Sequence, residues 1–351
     1  MLSTIDFESA IGGVNPLFKR TWGINMMEIS ARARERFCKD CNIPIRIFQE
    51  PYFSDRLKLY DKFYGTLQKW EVFLGELSKY HCEQDYFEEY NRVKDTAILQ
   101  IKNTEAYQRF NEEDMNKYSV THKNLSNKDI FKPSNDGRCF LSVDMKKANF
   151  SSLYHYDPGI FGGAGSWEEF IGKYTDNRHI INSKYIRQVI LGNCNPKRHI
   201  TYEKYLMDIV LTALTEKHNV SMGDIVFFSN DEIIIEVSEP DQDKRLQIAN
   251  QIENGMGDMP VPLKLELFTL HKLEGSDGYY KEFINEKGGN EIELKCLDNY
   301  ALPFALRKLL GQEITESDRV FYHEGLLAKF IEVPDIRINK NSPLSELCKE
   351  I

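Results

Sequence analysis

Two apolar runs in this chain are interrupted by acids. Asp144 breaks "CFLSVDM" (139–145), and Asp231 and Glu232 stand side by side at the polar apex of "DIVFFSNDEIIIEV" (224–237). Carboxylates brought together cannot all ionise unless a cation sits among them. Mg²⁺ takes its oxygen ligands from one or two carboxylates plus substrate phosphates. The pattern therefore predicts a metal-binding tip made by Asp144, Asp231 and Glu232. Two such ions about 4 Å apart activate a hydroxyl nucleophile and stabilise a leaving pyrophosphate. A plainer explanation exists for the apex alone: Asn-Asp suits a tight hairpin turn, and Glu232 can face water. Asp144 shifts the balance toward the metal.

These acids meet only if the fold carries them to one place. Residues 139–273 read as strand, helix, strand, strand, helix, strand. The strands are "CFLSVDM", the two arms of the acidic hairpin, and "VPLKLELFTLHKL". The helices fall in "TYEKYLMDIVLTALTEKH", with Thr201 as N-cap, and in "DQDKRLQIANQIENG". A short helix over "NFSSLYHY" precedes them, breaks at Pro158 and the glycines 162, 163 and 165, and resumes near Trp167. This order is a split β-α-β unit, a ferredoxin-like antiparallel sheet with helices on one face. In it the first strand and the hairpin tip are neighbours. The expected class is α+β.

Ahead of that unit, residues 24–118 carry apolar residues at helical spacing, with Pro44 and Pro51 separating the first two segments. Phe53, Leu57, Tyr60, Phe63 and Tyr64 form an aromatic stripe that reads as core. A polar linker, "THKNLSNKDIFKPSNDGR", follows. The expected organisation is a helical region over 1–137, a sheet domain over 138–290 and a small extension over 291–351, with a helix in "YALPFALRKLLG" and a strand or short helix in "GLLAKFIEV".

At 351 residues, with 41% hydrophobic and 28% charged residues, the composition is that of a globular protein. No apolar run approaches the length of a membrane span. The N-terminus lacks a basic segment followed by an apolar one, so an intracellular, cytoplasmic location is expected. Seven irregularly spaced cysteines read as reduced thiols. Cys38 and Cys41 have metal-ligand spacing, and His81 and Cys82 lie further along, but a second CxxC pair is missing. The net charge of -9 argues against nonspecific coating of nucleic acid. "GIFGGAGSW" lacks the Gly-Lys-Ser/Thr ending of a P-loop, and "HEG" at 323–325 lacks an HExxH partner.

The acidic motifs and their order resemble palm-domain nucleic-acid polymerases, reverse transcriptases above all. "VDMKKANF" (143–150) is similar to their first motif, a strand ending in Asp followed by Lys-x-Ala/Cys. "LGNCNPKRHITYEKYL" is similar in position to the Gly-rich loop and helix of the second, the hairpin to the third, and "LKLELFTLHK" to a fourth ending in Lys272. The resemblance covers about 135 residues. Two departures stand out. The hairpin tip Ser229-Asn230-Asp231-Glu232 is closer to the His-Asp-Glu tip of the bacterial repair polymerases (family A). Asn149 occupies the place where an aromatic excludes a ribose 2′-hydroxyl, with Phe150 one position later.

The resemblance implies a nucleotidyltransferase that uses Mg²⁺ or Mn²⁺, nucleoside triphosphates and a nucleic-acid template or primer. The helical region would bind nucleic acid or a protein partner, and a role in antiviral defence is one implied setting. Basic residues fit that expectation: Lys184, Arg187, Lys197, Arg198 and Lys204 fall within a stretch whose single acid is Glu203. Gly192 and Asn193 would let the backbone approach phosphates, and Lys146 and Lys147 flank Asp144. Two other readings compete: a nucleotide cyclase of the GGDEF kind, whose hairpin "SNDEIIIEV" resembles, and an inactive palm-fold scaffold that binds nucleic acid.

Overall fold

The computed structural model describes residues 29–123, 125, 130–286 and 291–338. The start of the first helical segment (26–28) and the polar tail beyond 338 lie outside them.

The N-terminal third is helical, and its breaks are where backbone chemistry demands them. Helix α1 (Ala31–Asp40) begins at Ser30, whose hydroxyl accepts the Ala33 N–H. The apolar pattern that follows Pro51 forms two helices, α2 (Tyr52–Tyr64) and α3 (Thr66–Leu77). They are separated by Gly65 at φ 57°, a left-handed conformation that favours glycine. Likewise α4 (Glu83–Asn103) and α5 (Glu105–Glu112) part at Thr104, an N-cap for Tyr107. Phe53, Leu57 and Tyr60 of the aromatic stripe are buried, and Phe63 and Tyr64 pack partly buried against the same core.

The sheet is antiparallel throughout. Its strands are β1 (Cys139–Met145), β2 (Ile225–Phe228), β3 (Glu232–Glu236), β4 (Leu263–Glu274), β5 (Tyr279–Phe283) and β6 (Ile292–Lys295). They lie in the order β2-β3-β1-β4-β5-β6. Connections run through α6 (Ala148–Tyr156), α7 (Trp167–Gly172), α8 (Arg178–Asn182), α9 (Lys184–Gly192), α10 (Pro196–Lys217) and, between β3 and β4, α11 (Gln242–Gly255). Strands β5 and β6 were not among the expected elements. The result is a mixed α+β architecture: a largely helical N-terminal region and a central antiparallel sheet flanked by helices.

One residue spacing differs from expectation. Helix α10 starts at Pro196, not at Thr201, because proline needs no N–H partner in a first turn. Thr201 lies inside the helix and donates to the Lys197 carbonyl.

Alternation along the strands sorts the two faces. Leu141, Val143, Met145, Ile233, Ile235 and Leu267 join Leu153, Leu206, Leu211 and Ile252 of the helices in one core. Phe140, Ile234, Phe268, Leu270 and Tyr279 face the other way, against Ile130. Each such side chain contributes about 1.5–3 kcal/mol on burial. A one-residue slip of β1 would turn its whole apolar set over, so packing fixes which face Asp144 occupies.

Residues after 290 are tied into the same body. Beyond β6 come α12 (Leu302–Leu309), a hairpin of β7 (Val320–His323) and β8 (Leu326–Lys329), and β9 (Arg337–Ile338), which pairs with β4. "GLLAKFIEV" thus holds a strand. The fully buried Asp318 carboxylate accepts from Arg56 of α2 at 2.9 Å and Arg307 of α12 at 2.9 Å.

Candidate active site

The ladder between β1 and β3 sets Asp144 directly opposite Glu232. The next residue, Met145, donates its N–H to the Asp231 carbonyl at 2.8 Å. On the other side, Asp144 lies opposite Lys264 and Ser142 opposite Glu266. Residues opposite one another, or two apart on a strand, share a face. Ser142, Asp144, Glu232, Lys264 and Glu266 therefore project together on the face away from the helices.

Ser229 builds the hairpin apex. Its hydroxyl receives the N–H groups of Glu232 (3.0 Å) and Asp231 (3.3 Å) and lies 3.1 Å from Asp231 Oδ1, while its N–H closes the turn on the Glu232 carbonyl. Below the apex, Asn230 Nδ2 donates to Glu203 Oε2 of α10 at 2.8 Å.

The electrostatics are those of a crowded acidic site. Partial burial, together with the Glu232, Asp231 and Glu266 carboxylates and against the opposing Lys264, raises the Asp144 carboxyl to about 7. Burial likewise lifts Glu203 to about 7, with Asp231 adding to the effect and the Asn230 hydrogen bond opposing it. Glu232 differs. Its Oε1 accepts from Ser142 Oγ at 2.6 Å and lies 3.9 Å from Lys281 Nζ of β5. Burial lowers the Lys281 pKa, and Glu232 offsets only part of that.

Among the described residues, no three His, Cys, Asp or Glu side chains stand grouped to hold a metal. The donor set still fits a hard cation. Mg²⁺ needs only one or two carboxylates beside substrate phosphates, and Asp144 and Asp231 are the two that would supply them. The repulsion that raises Asp144 is what a cation would relieve. No grouping forms around Cys38 and Cys41 either. Burial raises both thiols, Cys41 to about 12, and Cys82 caps α4.

The other expected residues divide between places. Lys147 Nζ pairs with both oxygens of Glu168 (2.6 and 2.5 Å). Glu168 also offsets the burial that lowers the Arg187 pKa, so this acid links the turn after Asp144 to α9. Lys146, Lys184, Gly192, Asn193 and Lys197 are exposed. A Cβ at Gly192 would meet nothing within 4 Å, so no close approach requires glycine there. Asn193 caps its own helix by donating to the Val189 carbonyl at 2.7 Å.

Asn149 is half-buried, whereas Phe150 is buried against Phe161, ring centroids 4.6 Å apart. Phe150 lines a cavity of about 540 Å³ together with Leu263 and Leu265, which face away from Lys264 and Glu266. The structure therefore does not bring Phe150 to the carboxylates. The Arg198 guanidinium donates to the Phe110 carbonyl (3.0 and 2.7 Å) and to that of Glu113, fastening α10 to the end of α5. Lys272 sits at the opposite end of β4 from Lys264, where Nζ donates to the Ser276 carbonyl at 2.5 Å and overlies Tyr279.

The lysines near the acids are Lys264 and Lys281, which motif reading passed over together with Ser142, Glu203 and Glu266. A signal for two of them existed: in "LKLELF" charged residues alternate with leucines, so Lys264 and Glu266 must share the face opposite the core. No protein-family model matches the chain, and it has no significant match among curated proteins or solved structures.

Proposed function

We propose that the protein is a template-directed nucleotidyltransferase, a reverse-transcriptase-like polymerase that extends a 3′-hydroxyl with a nucleoside triphosphate. One observation carries the reading: the β1–β3 register sets Asp144 against Glu232 on the sheet face that the helices leave free, and the next residue, Met145, is bonded through its N–H to the Asp231 carbonyl. The strand order β4-β1-β3-β2, with helical crossovers after β1 and β3, supports assigning a palm of the ferredoxin-like β-α-β-β-α-β kind to this sheet.

Asp144 and Asp231 would hold Mg²⁺ or Mn²⁺. When bound, such ions activate the 3′-hydroxyl and stabilise the charge on the departing pyrophosphate. The protein's own part is to hold the two carboxylates rigidly: Asp144 by the ladders on both sides of β1, Asp231 by Ser229 and by the Glu203–Asn230 clasp. Half-burial of Asp144 limits the water that competes for it. Exposed Lys264, beside Asp144, and exposed Lys184 and Lys197 offer cations to phosphates. The N-terminal helices supply the platform for a template or a partner.

The test is primer extension with RNA and DNA templates, each nucleotide set, and Mg²⁺ or Mn²⁺. The expected result is incorporation that Asp144→Ala and Asp231→Ala abolish without unfolding the protein. Cyclic dinucleotides from GTP alone would point to a cyclase. Binding of nucleic acid without incorporation under every condition would leave a scaffold.

A further inference from the structure

Glu232 belongs to the acidic cluster by register, but its carboxylate is drawn elsewhere. It turns along the sheet to Ser142, whose Oγ donates to Oε1 at 2.6 Å. Lys281 approaches the same oxygen to 3.9 Å, with its side chain only 9% exposed. The lysine arrives from β5, on the far side of β4, and its ammonium lies 4.4 Å from the centroid of the Phe268 ring. A buried ammonium is costly without a counter-charge, and Glu232 provides it. Ser142 is itself buried, so its hydroxyl has little water to turn to.

We propose that Ser142 and Lys281 are positioning residues that hold the Glu232 carboxylate out of the cation site, leaving Asp144 and Asp231 to bind a divalent ion as a pair. This rests on the reading of those two aspartates given above. Ligand charge sets cation affinity. A third carboxylate would tighten the ion in the absence of nucleotide, and its negative charge would repel an incoming triphosphate. Held at Ser142 and Lys281, Glu232 leaves coordination positions for phosphate oxygens.

The full-length protein, free of nucleotide, is titrated with Mn²⁺ and free ion is followed by electron paramagnetic resonance. Ser142→Ala releases Glu232 without changing any charge and is expected to tighten Mn²⁺ binding about threefold. Lys281→Met keeps an unbranched chain over Phe268 and is expected to tighten it about tenfold. Neither gain should survive when Glu232→Gln is added. Unchanged or weaker binding in Ser142→Ala overturns the proposal, as does a gain that persists with Glu232→Gln, which would be a long-range charge effect. Asp144→Asn separates the two levels. If it leaves Mn²⁺ affinity intact, the cation reading fails and this inference with it. If it weakens binding while Ser142→Ala changes nothing, the positioning role alone falls. Should Lys281→Met not fold, Ser142→Ala carries the test.

Discussion

Asp318 and Asp144 are both carboxylates withdrawn from water, yet the protein treats them in opposite ways. Asp318 is fully buried and surrounded by donors: Arg56, Arg307, and the N–H and hydroxyl of Thr315, the last two at 2.8 Å. Asp40 is similar, accepting from Tyr90 and Ser183 at 2.7 Å each, with the His179 ring at 3.0 Å. Asp144 instead is half-buried facing Glu232, Asp231 and Glu266; burial first and these carboxylates second push its pKa up, and Lys264 relieves only part of that. A carboxylate whose needs the fold already meets is structural. One whose surroundings repel its charge is poised for something the fold does not contain.

The largest expected effect tests this contrast at the level of chemistry. Asp144→Ala or Asp231→Ala should lower nucleotide incorporation by about 10²–10³-fold or more, with an unchanged or raised melting temperature. Asp318→Ala should do the reverse. It strands two arginines in the interior and should cost about 3–5 kcal/mol in urea denaturation. If Asp144→Ala were as damaging to stability as Asp318→Ala, the two sites would not differ in kind.

A pH titration sharpens the same contrast. The folded pKa of Asp144, about 7, lies above the unfolded value near 4. Between those values the folded state holds a proton that the unfolded chain has released, so stability from this group falls as pH rises from about 4 to about 7 and then stays low. Thermal melts of the wild type minus those of Asp144→Asn should show that slope. Saturating Mg²⁺ should restore stability at pH 8 and do little at pH 5. A difference curve that is flat, or that rises with pH, would mean that neither burial nor the neighbouring carboxylates hold the proton on Asp144.

Much of the layout was legible because it depends on local spacing. The helical character of the N-terminal third, the acidic hairpin, β4 and α11 follow from periodicity, and the interrupted run "LSVDM" marked Asp144 before any partner was visible. What was not legible depends on contacts distant in sequence. The assignment of Lys272 followed motif order, but strand register makes Lys264 the residue across from Asp144. Arg198 looked like a phosphate ligand in a basic run, and only the approach of α5 shows its guanidinium committed to carbonyls. Lys281 lies in "YYKEF", which has no motif at all; its reach to Glu232 exists only because β5 joins the sheet beside β4.

The smallest effect should come from Glu203, the carboxylate that stands between the two kinds. It is 2% exposed, one oxygen accepts from Asn230, and the Ser152 hydroxyl also acts to lower its pKa. Burial raises its pKa to about 7, so near neutrality it is already partly protonated. Glu203→Gln keeps an acceptor for Asn230 and removes a charge that the interior disfavours, so stability should move by no more than about 1 kcal/mol. Glu203→Leu keeps the bulk and frees Asn230. It should leave the fold standing but loosen the apex, and weaker Mn²⁺ binding at Asp231 is the readout. A large loss of stability in Glu203→Gln would class this residue with Asp318, because it would mean the ionised carboxylate, rather than the hydrogen bond, is what α10 supplies to the hairpin.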